Sequence, residues 1–403
     1  MASNFDKMIN RKGTGSIKWD AVKEVFGTED ILPMWVADMD FPVAQEITEA
    51  IRKRLEHPIF GYTKPWKSVI NSVVERVKRK YDWKIKPEWV VFTPGVVPAI
   101  STAIKAFSSP GDEVILQGPV YYPFWDAIRE NGCHIANNRL KLENGKYVMD
   151  YEDLKNKFAP KKLLFPEPSG VKIAILCNPH NPGGRMWSKE EQQKFGEIVL
   201  KHNAVVISDE IHSEIVLSDK KHIPFASISK EFEQNSITCL SPSKTFNIAG
   251  FSVSSIIIPN EKLRTEFIRS AGHMLGEVSV LSLVALESAY REGDKWLSEL
   301  LSYLKENLEF LLKYFEENIP EVKVIKPEGT YLVWLDFRKL GMNGKELSEF
   351  LIEKAKIGLD DGYLFGPSGE GFARINIACP RSVLKEGLSR IAKAVKEIGS
   401  DIV

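Results

Sequence analysis

A lysine surrounded by hydroxyl-bearing residues is the feature of this sequence that points most directly to chemistry. Lys244 follows an apolar run, within Ser241-Pro242-Ser243-Lys244-Thr245-Phe246-Asn247. An unprotonated lysine amine can form an imine with an aldehyde, and burial near a second cation lowers its pKa toward neutrality. Most single lysines are solvated surface charges, so Lys244 becomes a candidate only in combination with other segments.

A second segment places acidic side chains at the end of an apolar strand. Residues 205–208 are Val-Val-Ile-Ser, followed by Asp209, Glu210 and, three residues after Asp209, His212. Ligands of open α/β sheets bind at the carboxyl ends of parallel strands, where Asp209 can pair with the ring nitrogen of a pyridine cofactor. The alternative is that the acids cap the next element and that His212 is a hydrogen-bonded partner in a packed turn.

A third segment joins another apolar strand to a turn rich in Asn, Pro and Gly. The run 173–177 leads into Asn178-Pro179-His180-Asn181-Pro182-Gly183-Gly184-Arg185. The two prolines that flank Asn181 fix the turn, and its amide can donate to an oxygen of a cofactor. Ser188 and Glu191 have the spacing of a capping box, which predicts a helix directly after this turn.

A fourth segment has the pattern of an anion site. The apolar run 89–93 leads through Gly95 into a helix whose first turn contains Pro98. Free backbone amides and the positive end of the helix dipole favour a phosphate at such a helix start. Any strand-turn-helix has such an end, so this segment alone is a weak indication.

In combination, these segments resemble the fold-type I pyridoxal 5'-phosphate (PLP) enzymes of the class I/II aminotransferase superfamily. The resemblance is closest to the MalY/PatB-type cystathionine β-lyase (C–S lyase) branch. It extends over nearly the whole chain, in collinear order, through residues 32–41 (LPMWVADMDF), Gly61-Tyr62, 119–124 (PVYYPF), 178–185, 208–212, 241–247 and 372–381 (FARINIACPR). It implies an aspartate aminotransferase-like α/β fold, in which a mainly parallel, doubly wound sheet forms a large domain beside a smaller α+β domain.

The resemblance also implies roles for individual residues. Lys244 would form the imine with PLP, and Asp209 would pair with the pyridine nitrogen. Asn181 and His212 would lie near the phenolic oxygen, and Tyr121 would stack on the ring. The implied phosphate ligands are the backbone amides around Gly95, Val96 and Val97, the hydroxyls of Ser241 and Ser243, and Tyr62 of a second subunit, which makes the protein a homodimer.

The substrate carboxylate is implied to bind Arg374, helped by the Ala37 backbone and by Asn181. A guanidinium suits this role because it can make two charge-assisted hydrogen bonds to a carboxylate. Without the resemblance, Arg374 would be interpreted as a surface ion pair, and Tyr62 and Tyr121 as interior aromatics.

One position departs from the wider superfamily. Many aminotransferases carry a phosphate-binding arginine eight residues after the lysine, whereas this chain has Ser252 there, as expected for the C–S lyase branch. A phosphate held mainly by amides and hydroxyls is therefore expected, with Lys244 as the nearest cation.

The same residues serve more than one reaction. Removal of the substrate Cα proton by Lys244 leads to β-elimination of a thiol, with pyruvate and ammonia as the other products, when the β carbon carries sulfur. Return of the proton to the cofactor gives transamination. The expected activity is a C–S β-lyase acting on cystathionine or a related cysteine S-conjugate; the alternatives are an aminotransferase and a PLP-binding regulatory protein.

Composition agrees with this expectation. The 403 residues carry 54 basic and 54 acidic side chains, a balance that argues against binding to nucleic acid or to an anionic membrane surface. The four cysteines show neither a CxxC pair nor metal-ligand spacing, so no metal site is expected. No signal core or membrane-spanning run is seen, and a cytoplasmic location is expected.

The order of apolar runs predicts the domain organisation. Residues 1–45 are expected to form an N-terminal arm that joins the small domain, 46–285 the large PLP-binding domain and 286–403 the small C-terminal domain. Strands and helices that alternate in the large domain predict a parallel sheet. Helical periodicity predicts a long helix over 294–318 and a final helix over 383–398.

Overall fold

The computed structural model describes residues 3–159, 170–273 and 275–401 of the chain. We number its helices α1 to α15 in chain order: Ile17–Asp20, Val22–Phe26, Gln45–Leu55, Lys67–Tyr81, Val96–Phe107, Pro123–Glu130, Tyr151–Lys157, Lys189–Leu200, Lys230–Gln234, Pro242–Thr245, Glu261–Ala271, Val280–Glu292, Asp294–Asn318, Gly344–Glu349 and Arg381–Asp401. Short 3-10 turns lie at Pro87–Trp89, Phe225–Ser227, Ala249–Phe251, Arg338–Leu340, Gly362–Phe365 and Pro367–Gly369, and a π-helical turn at Phe350–Lys354.

The strands are numbered β1 to β15 in the same way. They are Leu32–Pro33, Val90–Thr93, Glu113–Leu116, His134–Asn137, Lys141–Glu143, Lys146–Val148, Val171–Cys177, Val205–Asp209, Ser236–Leu240, Ser254–Ile257, Lys323–Ile325, Leu332–Asp336, Ile357–Gly358, Asp360–Asp361 and Phe372–Asn376. The predicted long helix is α13, with the predicted bounds, and the predicted final helix is α15, which is longer at both ends.

A seven-stranded sheet forms the centre of the molecule, in the order β2-β10-β9-β8-β7-β3-β4. All neighbours are parallel except β10, which is antiparallel to β2 and to β9. Its central strands read as continuous apolar runs because both of their faces are covered, as is usual for parallel sheets. In β7, Ile173 and Ile175 pack among residues of α5 and α6, whereas Ala174 and Leu176 pack among residues of α7 and α8. The predicted mainly parallel, doubly wound α/β sheet is confirmed.

A second sheet of four strands, β11-β12-β15-β14, is antiparallel throughout. Helices α13 and α15 pack against each other through Leu304, Leu308 and Leu388, in the same apolar core as Val333 and Ile375 of this sheet. The N-terminal segment reaches this part of the molecule, since β1 pairs in parallel with β13. The backbone around residues 35–38 is thereby held between the two sheets.

The division into an arm and two domains stays a prediction. The distribution of strands supports it, because every strand of the seven-stranded sheet lies within residues 46–285 and every strand of the four-stranded sheet lies within 286–403. Over the described part of the chain, no helix combines the length and the apolar character needed to cross a membrane.

Candidate active site

Three neighbouring strands bring the main candidate residues to one edge of the large sheet. Strands β7, β8 and β9 are adjacent and parallel, with Cys177 opposite Asp209 and Asp209 opposite Cys239. Because parallel strands end at the same edge, the turn with Asn181, the end of β8 with Asp209 and the short helix with Lys244 meet there. The predicted capping box follows the turn, and Ser188 Oγ accepts from the Glu191 amide at 3.2 Å.

A cavity of about 220 Å³ opens at this edge. Every residue proposed from the sequence lines it except Tyr62 and Arg374: Ala37, Gly95, Val96, Val97, Tyr121, Asn181, Asp209, His212, Ser241, Ser243 and Lys244. The remaining lining comes from Pro94, Pro98, Cys177, Ile211, Ala249, Ser252, Val253 and Ser254. The cavity thus combines one amine, one carboxylate, an imidazole and a group of hydroxyls between apolar walls.

The surroundings of Lys244 favour loss of its amine proton near neutral pH. It lies in α10, a four-residue helix that begins with Pro242 directly after β9, and its Nζ donates to the Ala37 carbonyl oxygen at 2.7 Å. Burial and, to a smaller extent, the Arg374 charge lower its pKa from 10.5 to about 8, against the opposing charges of Asp38 and Asp209. This is the combination of burial and a nearby cation that activates a lysine.

The pKa of Asp209 is shifted in the opposite direction to that of Lys244, and burial is again the main cause. Its carboxylate is 4% exposed, and burial raises its pKa from 3.8 to about 7, with a smaller contribution from Glu210. Its Oδ1 accepts a hydrogen bond from the Ile211 amide at 3.0 Å. A buried carboxylate with so few donors is stabilised in its ionised form by a cation placed next to it, as a protonated ring nitrogen would be.

The part of the cavity wall formed by the start of α5 is suited to an anion. Helix α5 begins at Val96, and its N-cap residue Gly95 has no side chain to accept from the first-turn amides. A Cβ at Gly95 would lie 3.3 Å from the Pro98 ring, so glycine also keeps this turn open. Unpaired first-turn amides and the helix dipole favour negative charge. Ser243 also lines this cavity, as does Ser252, at the position where many aminotransferases have arginine.

Ser241 shapes the loop that carries Lys244. Its Oγ accepts from the Ser243 amide at 3.1 Å, lies 2.9 Å from Ser243 Oγ and donates to the Val253 carbonyl oxygen at 2.7 Å. The hydroxyls of Ser241 and Ser243 are therefore held side by side at the start of α10. The bond to the Val253 carbonyl fixes Ser241 against the neighbouring loop. This rigidity favours a bound phosphate because little side-chain freedom is lost on binding.

Arg374 is buried, so its interpretation as a surface ion pair is wrong. It lies on β15, opposite Asp360 of β14, and its Nη2 forms an ion pair with the Asp360 carboxylate. Its Nη1 donates to Asn181 Oδ1 at 2.9 Å, and its Nη2 also donates to the Trp35 carbonyl oxygen at 3.2 Å. Through Asn181 the guanidinium reaches the cavity edge and joins both sheets to the N-terminal segment.

His212 and Tyr121 form further parts of the wall. Burial and the charges of Lys244 and Arg374 hold the pKa of His212 well below 6.5, so the ring is neutral at physiological pH. Its Nδ1 is buried without a hydrogen-bond partner among the described residues. The Tyr121 amide donates to the Asn181 carbonyl oxygen at 3.1 Å, which ties the wall to the Asn-Pro turn.

Comparison with known protein families identifies the family of this chain. The sequence profile of the family described as Aminotransferase class I and II matches residues 29–391. The chain belongs to this family. It is 46% identical over 393 residues to cystathionine beta-lyase PatB of Bacillus subtilis (strain 168), covering 97% of this chain and 100% of PatB. It is 33% identical to protein MalY of Escherichia coli (strain K12), covering 98% of this chain and 99% of MalY.

A solved structure of the same family agrees closely with the fold. Cystalysin from Treponema denticola, whose crystal structure contains a PLP cofactor, aligns with a TM-score of 0.94 at 39% identity, covering 99% of this chain and 100% of cystalysin. Together with the PatB and MalY matches, this confirms the predicted family, its MalY/PatB-type branch and its fold class.

Two predicted positions are not tested by the contacts within this aminotransferase-family chain. Tyr62 is fully exposed between α3 and α4, beside the exposed Phe60, and does not line the cavity. The Ala37 carbonyl oxygen accepts from Lys244 and from the Tyr331 hydroxyl, whereas the carbonyl that contacts Arg374 belongs to Trp35. The contribution of Ala37 to carboxylate binding therefore stays a prediction.

Sequence reasoning missed two carboxylates beside the site. Asp38 influences Lys244 from the N-terminal segment, where its Oδ1 accepts from Arg11 at 3.0 Å, and Asp360 pairs with Arg374. Asp38 lies within the segment 32–41 that carries the family resemblance, so its position in that segment could have marked it as a candidate site residue. Asp360 lies in Gly358-Leu359-Asp360-Asp361-Gly362, where acids next to glycines are typical of an ordinary turn.

Proposed function

We propose that this chain is a PLP-dependent C–S β-lyase, which cleaves cystathionine or a related cysteine S-conjugate to a thiol, pyruvate and ammonia. The observation that carries the proposal is the cavity in which Lys244, Asp209 and Asn181 meet beside the open start of α5. The reaction is suggested by the full-length similarity to the cystathionine beta-lyase PatB.

The described residues fit PLP at both of its ends. At the ring end, Asp209 has no cation of the described chain bonded to it, and the buried His212 Nδ1 is free to bond an oxygen of the ring. At the phosphate end lie the amides of α5 and the paired hydroxyls of Ser241 and Ser243. Lys244 lines the same cavity, where its amine would hold the cofactor aldehyde.

The chain's own residues would then perform the remaining tasks. Bound PLP supplies an electron sink for the negative charge that develops at the substrate Cα. Arg374 and Asn181 would bind the substrate carboxylate and so orient the Cα–H bond toward Lys244. The Lys244 amine, which is free once the substrate amine replaces it, would take the proton. The Cβ–S electron pair then leaves with the thiolate, and the resulting 2-aminoacrylate hydrolyses to pyruvate and ammonia.

Pyruvate release separates this proposal from an aminotransferase activity, which the same family and the same residues allow. The purified protein with PLP is given L-cystathionine, and separately L-cysteine, without a keto acid. Continued release of pyruvate over many turnovers is expected. Turnover that starts only when a keto acid is added would contradict the lyase and establish the aminotransferase. A cellular effect that survives Lys244→Ala would favour the regulatory alternative.

We also propose a homodimer in which Tyr62 contributes to the phosphate site of the neighbouring subunit. Its support is the position of Tyr62, which is outside its own cavity and adjoins the exposed apolar side chains Ile59 and Phe60. Large exposed apolar groups that lie together are typical of interaction surfaces. Sedimentation of the PLP-bound protein should give a dimer, and a fully active monomer would contradict a shared site.

A cytoplasmic location is part of the same proposal. Cys133, Cys177, Cys239 and Cys379 are all free and buried. Thiols kept reduced in this way are usual in proteins of reducing compartments.

A further inference from the structure

Asp360 contacts the guanidinium proposed to bind the substrate carboxylate. It faces Arg374 across the β14–β15 pair, and both side chains are almost completely buried. The Asp360 Oδ2 atom is bonded to Arg374 Nη2, which leaves a neutral pair inside the protein. Burial raises the pKa of Asp360, while the charge of Arg374 opposes this shift.

Arg374 retains donor capacity that no described residue uses. Its Nη1 donates to Asn181 and its Nη2 to Trp35 and Asp360, but its Nε is buried and has no partner among the described residues. A buried charged donor without an acceptor is costly, so this N–H indicates the position of an external acceptor. The guanidinium therefore has one internal carboxylate partner and one donor that no described residue uses.

Two carboxylates on one guanidinium oppose each other. The attraction that Arg374 offers to a substrate carboxylate is reduced by the fixed negative charge of Asp360, and in a buried site this repulsion is only weakly screened. The next carboxylate along the strand, Asp361, faces other partners, since it accepts from Ser348 Oγ and from the Tyr363 hydroxyl at 3.0 Å each.

We infer that Asp360 sets the affinity of the substrate site for carboxylates by acting as a resident competitor for Arg374. The inference rests on the proposed function only in taking Arg374 as the group that binds the substrate carboxylate. Its consequence is weaker binding of substrate and of carboxylate product, so that pyruvate leaves readily. Asp360 is a specificity-determining residue by this argument and takes no proton from the substrate.

The test uses a pair of probes with the same carbon–sulfur skeleton, one with a charged carboxylate and one with a neutral amide. 3-(Methylthio)propionate resembles a cysteine S-conjugate without the amino group, so it binds without reacting, and 3-(methylthio)propionamide is its neutral counterpart. Binding of each probe to the PLP-bound protein is measured by calorimetry for the parent and for Asp360→Asn. The variant should bind the carboxylate about tenfold more tightly, and the amide within about twofold of the parent.

A purely structural role for Asp360 predicts a different result. If Asp360 only held the guanidinium in place, its replacement would weaken both probes, or the carboxylate selectively, and either outcome overturns the inference. Unchanged binding of the carboxylate overturns it as well. Asp361→Asn is the matched control, because it removes the neighbouring charge without touching Arg374, and both probes should bind it as they bind the parent.

Two further variants keep the result interpretable. If Asp360→Asn does not fold, Asp360→Ser replaces it with a smaller neutral side chain, for which the same gain in carboxylate affinity is expected. Arg374→Gln tests the premise, since carboxylate binding that survives this change would show that another group binds the carboxylate. None of these measurements needs turnover, so a failed pyruvate assay would contradict the lyase proposal without affecting the inference.

Discussion

Two buried centres, each with one basic and one acidic side chain, lie beside the cavity, and their contacts differ. In the lysine centre, Lys244 and Asp209 are not bonded to each other, and burial brings the pKa of each toward neutrality, to about 8 and about 7. In the arginine centre, Arg374 and Asp360 are in direct contact. The lysine centre can therefore exchange protons at physiological pH, whereas the arginine centre keeps a fixed charge on its guanidinium.

The difference follows from the elements that carry the two centres. Lys244 and Asp209 follow the ends of adjacent parallel strands, where side chains project into a cleft and find few partners. Arg374 and Asp360 lie opposite each other within an antiparallel pair, where cross-strand neighbours are close enough to bond. A sheet edge thus provides reactivity, and a strand pair provides stable orientation.

The largest expected effect is on the lysine centre. Lys244→Ala should lower the rate of pyruvate formation by about 10³-fold or more, because it removes the group that holds the cofactor and takes the proton. The fold should remain intact, as judged by circular dichroism. Lys230→Ala, at an exposed lysine that pairs with Glu233, is the control and should leave the rate unchanged. Equal rates for Lys244→Ala and the parent would exclude Lys244 from the chemistry.

The next effect concerns the stability of the arginine centre. Arg374→Met leaves the Asp360 carboxylate buried without its partner, and the free energy of unfolding should fall by about 3–5 kcal/mol. Chemical denaturation measures this change. Adding Asp360→Asn to Arg374→Met should recover part of the loss, because the unpaired charge is then absent.

A second arginine, which pairs with the last residue of β12, provides the matched control. Arg338 pairs with Asp336 but is 54% exposed, so Arg338→Met should cost at most about 1 kcal/mol. If both arginine variants lost the same stability, the pairing with Asp360 would not distinguish Arg374 from an ordinary surface arginine. The contrast between the two centres would then lose its energetic basis.

These centres also show how far the sequence could predict the site. Apolar runs predict the three strands β7, β8 and β9, and parallel strands end at one edge of a sheet, so Asn181, Asp209 and Lys244 are expected to lie together. Asp360 could not be predicted in this way, because its pairing with Arg374 depends on the register between β14 and β15. Strand β14 is short, and the two residues are not neighbours in the sequence. The resemblance supplied Arg374 itself but did not supply its internal partner.

Local sequence patterns alone do not predict the exposed position of Tyr62. Its neighbours Gly61 and Thr63 lie in a stretch without regular structure between α3 and α4, where no periodic pattern fixes the direction of a side chain. A contact with a second subunit leaves no signal in local composition. The resemblance implied that contact, and the exposed side chain is consistent with it.

The lysine centre should also make the stability of the protein depend on pH. The pKa of Asp209 is raised from 3.8 to about 7 in the folded, cofactor-free protein. The folded state therefore binds more protons than the unfolded state between these values, so stability is lost as pH rises from about 4 to about 7. Asp209→Asn removes this term, and the variant should gain about 2–3 kcal/mol relative to the parent between pH 5 and pH 8.

Urea denaturation of both cofactor-free proteins at pH 5 and pH 8 measures this gain. The pH dependence that Lys244 contributes to stability has the opposite sign. Its pKa is lowered in the folded protein, so its contribution to stability rises as the pH increases from about 8 to about 10.5. Asp360→Asn is a useful comparison because its carboxylate is bonded to Arg374, and a smaller change between pH 5 and pH 8 is expected. A pH-independent difference between Asp209→Asn and the parent would contradict a raised pKa at Asp209.

The smallest expected effect lies outside both centres, at Tyr62. Loss of one hydroxyl bond to a charged phosphate in Tyr62→Phe should weaken PLP binding by about tenfold, which fluorescence titration of the cofactor-free protein can measure. Tyr363→Phe, at an exposed tyrosine bonded to Asp361, should have no effect on PLP. Both centres belong to a single chain, whereas this contact is proposed to cross between subunits.

Mixed dimers distinguish a contact between subunits from a contact within one chain. When Tyr62→Phe subunits are combined with Lys244→Ala subunits, the site that contains Lys244 receives Tyr62 from its partner only if the side chain crosses the interface. Parent-like PLP affinity at that site would therefore support the crossing contact, because every other residue of the site is intact. If the affinity stays at that of the Tyr62→Phe protein, Tyr62 acts within its own subunit or not at all, and the case for a shared site is lost.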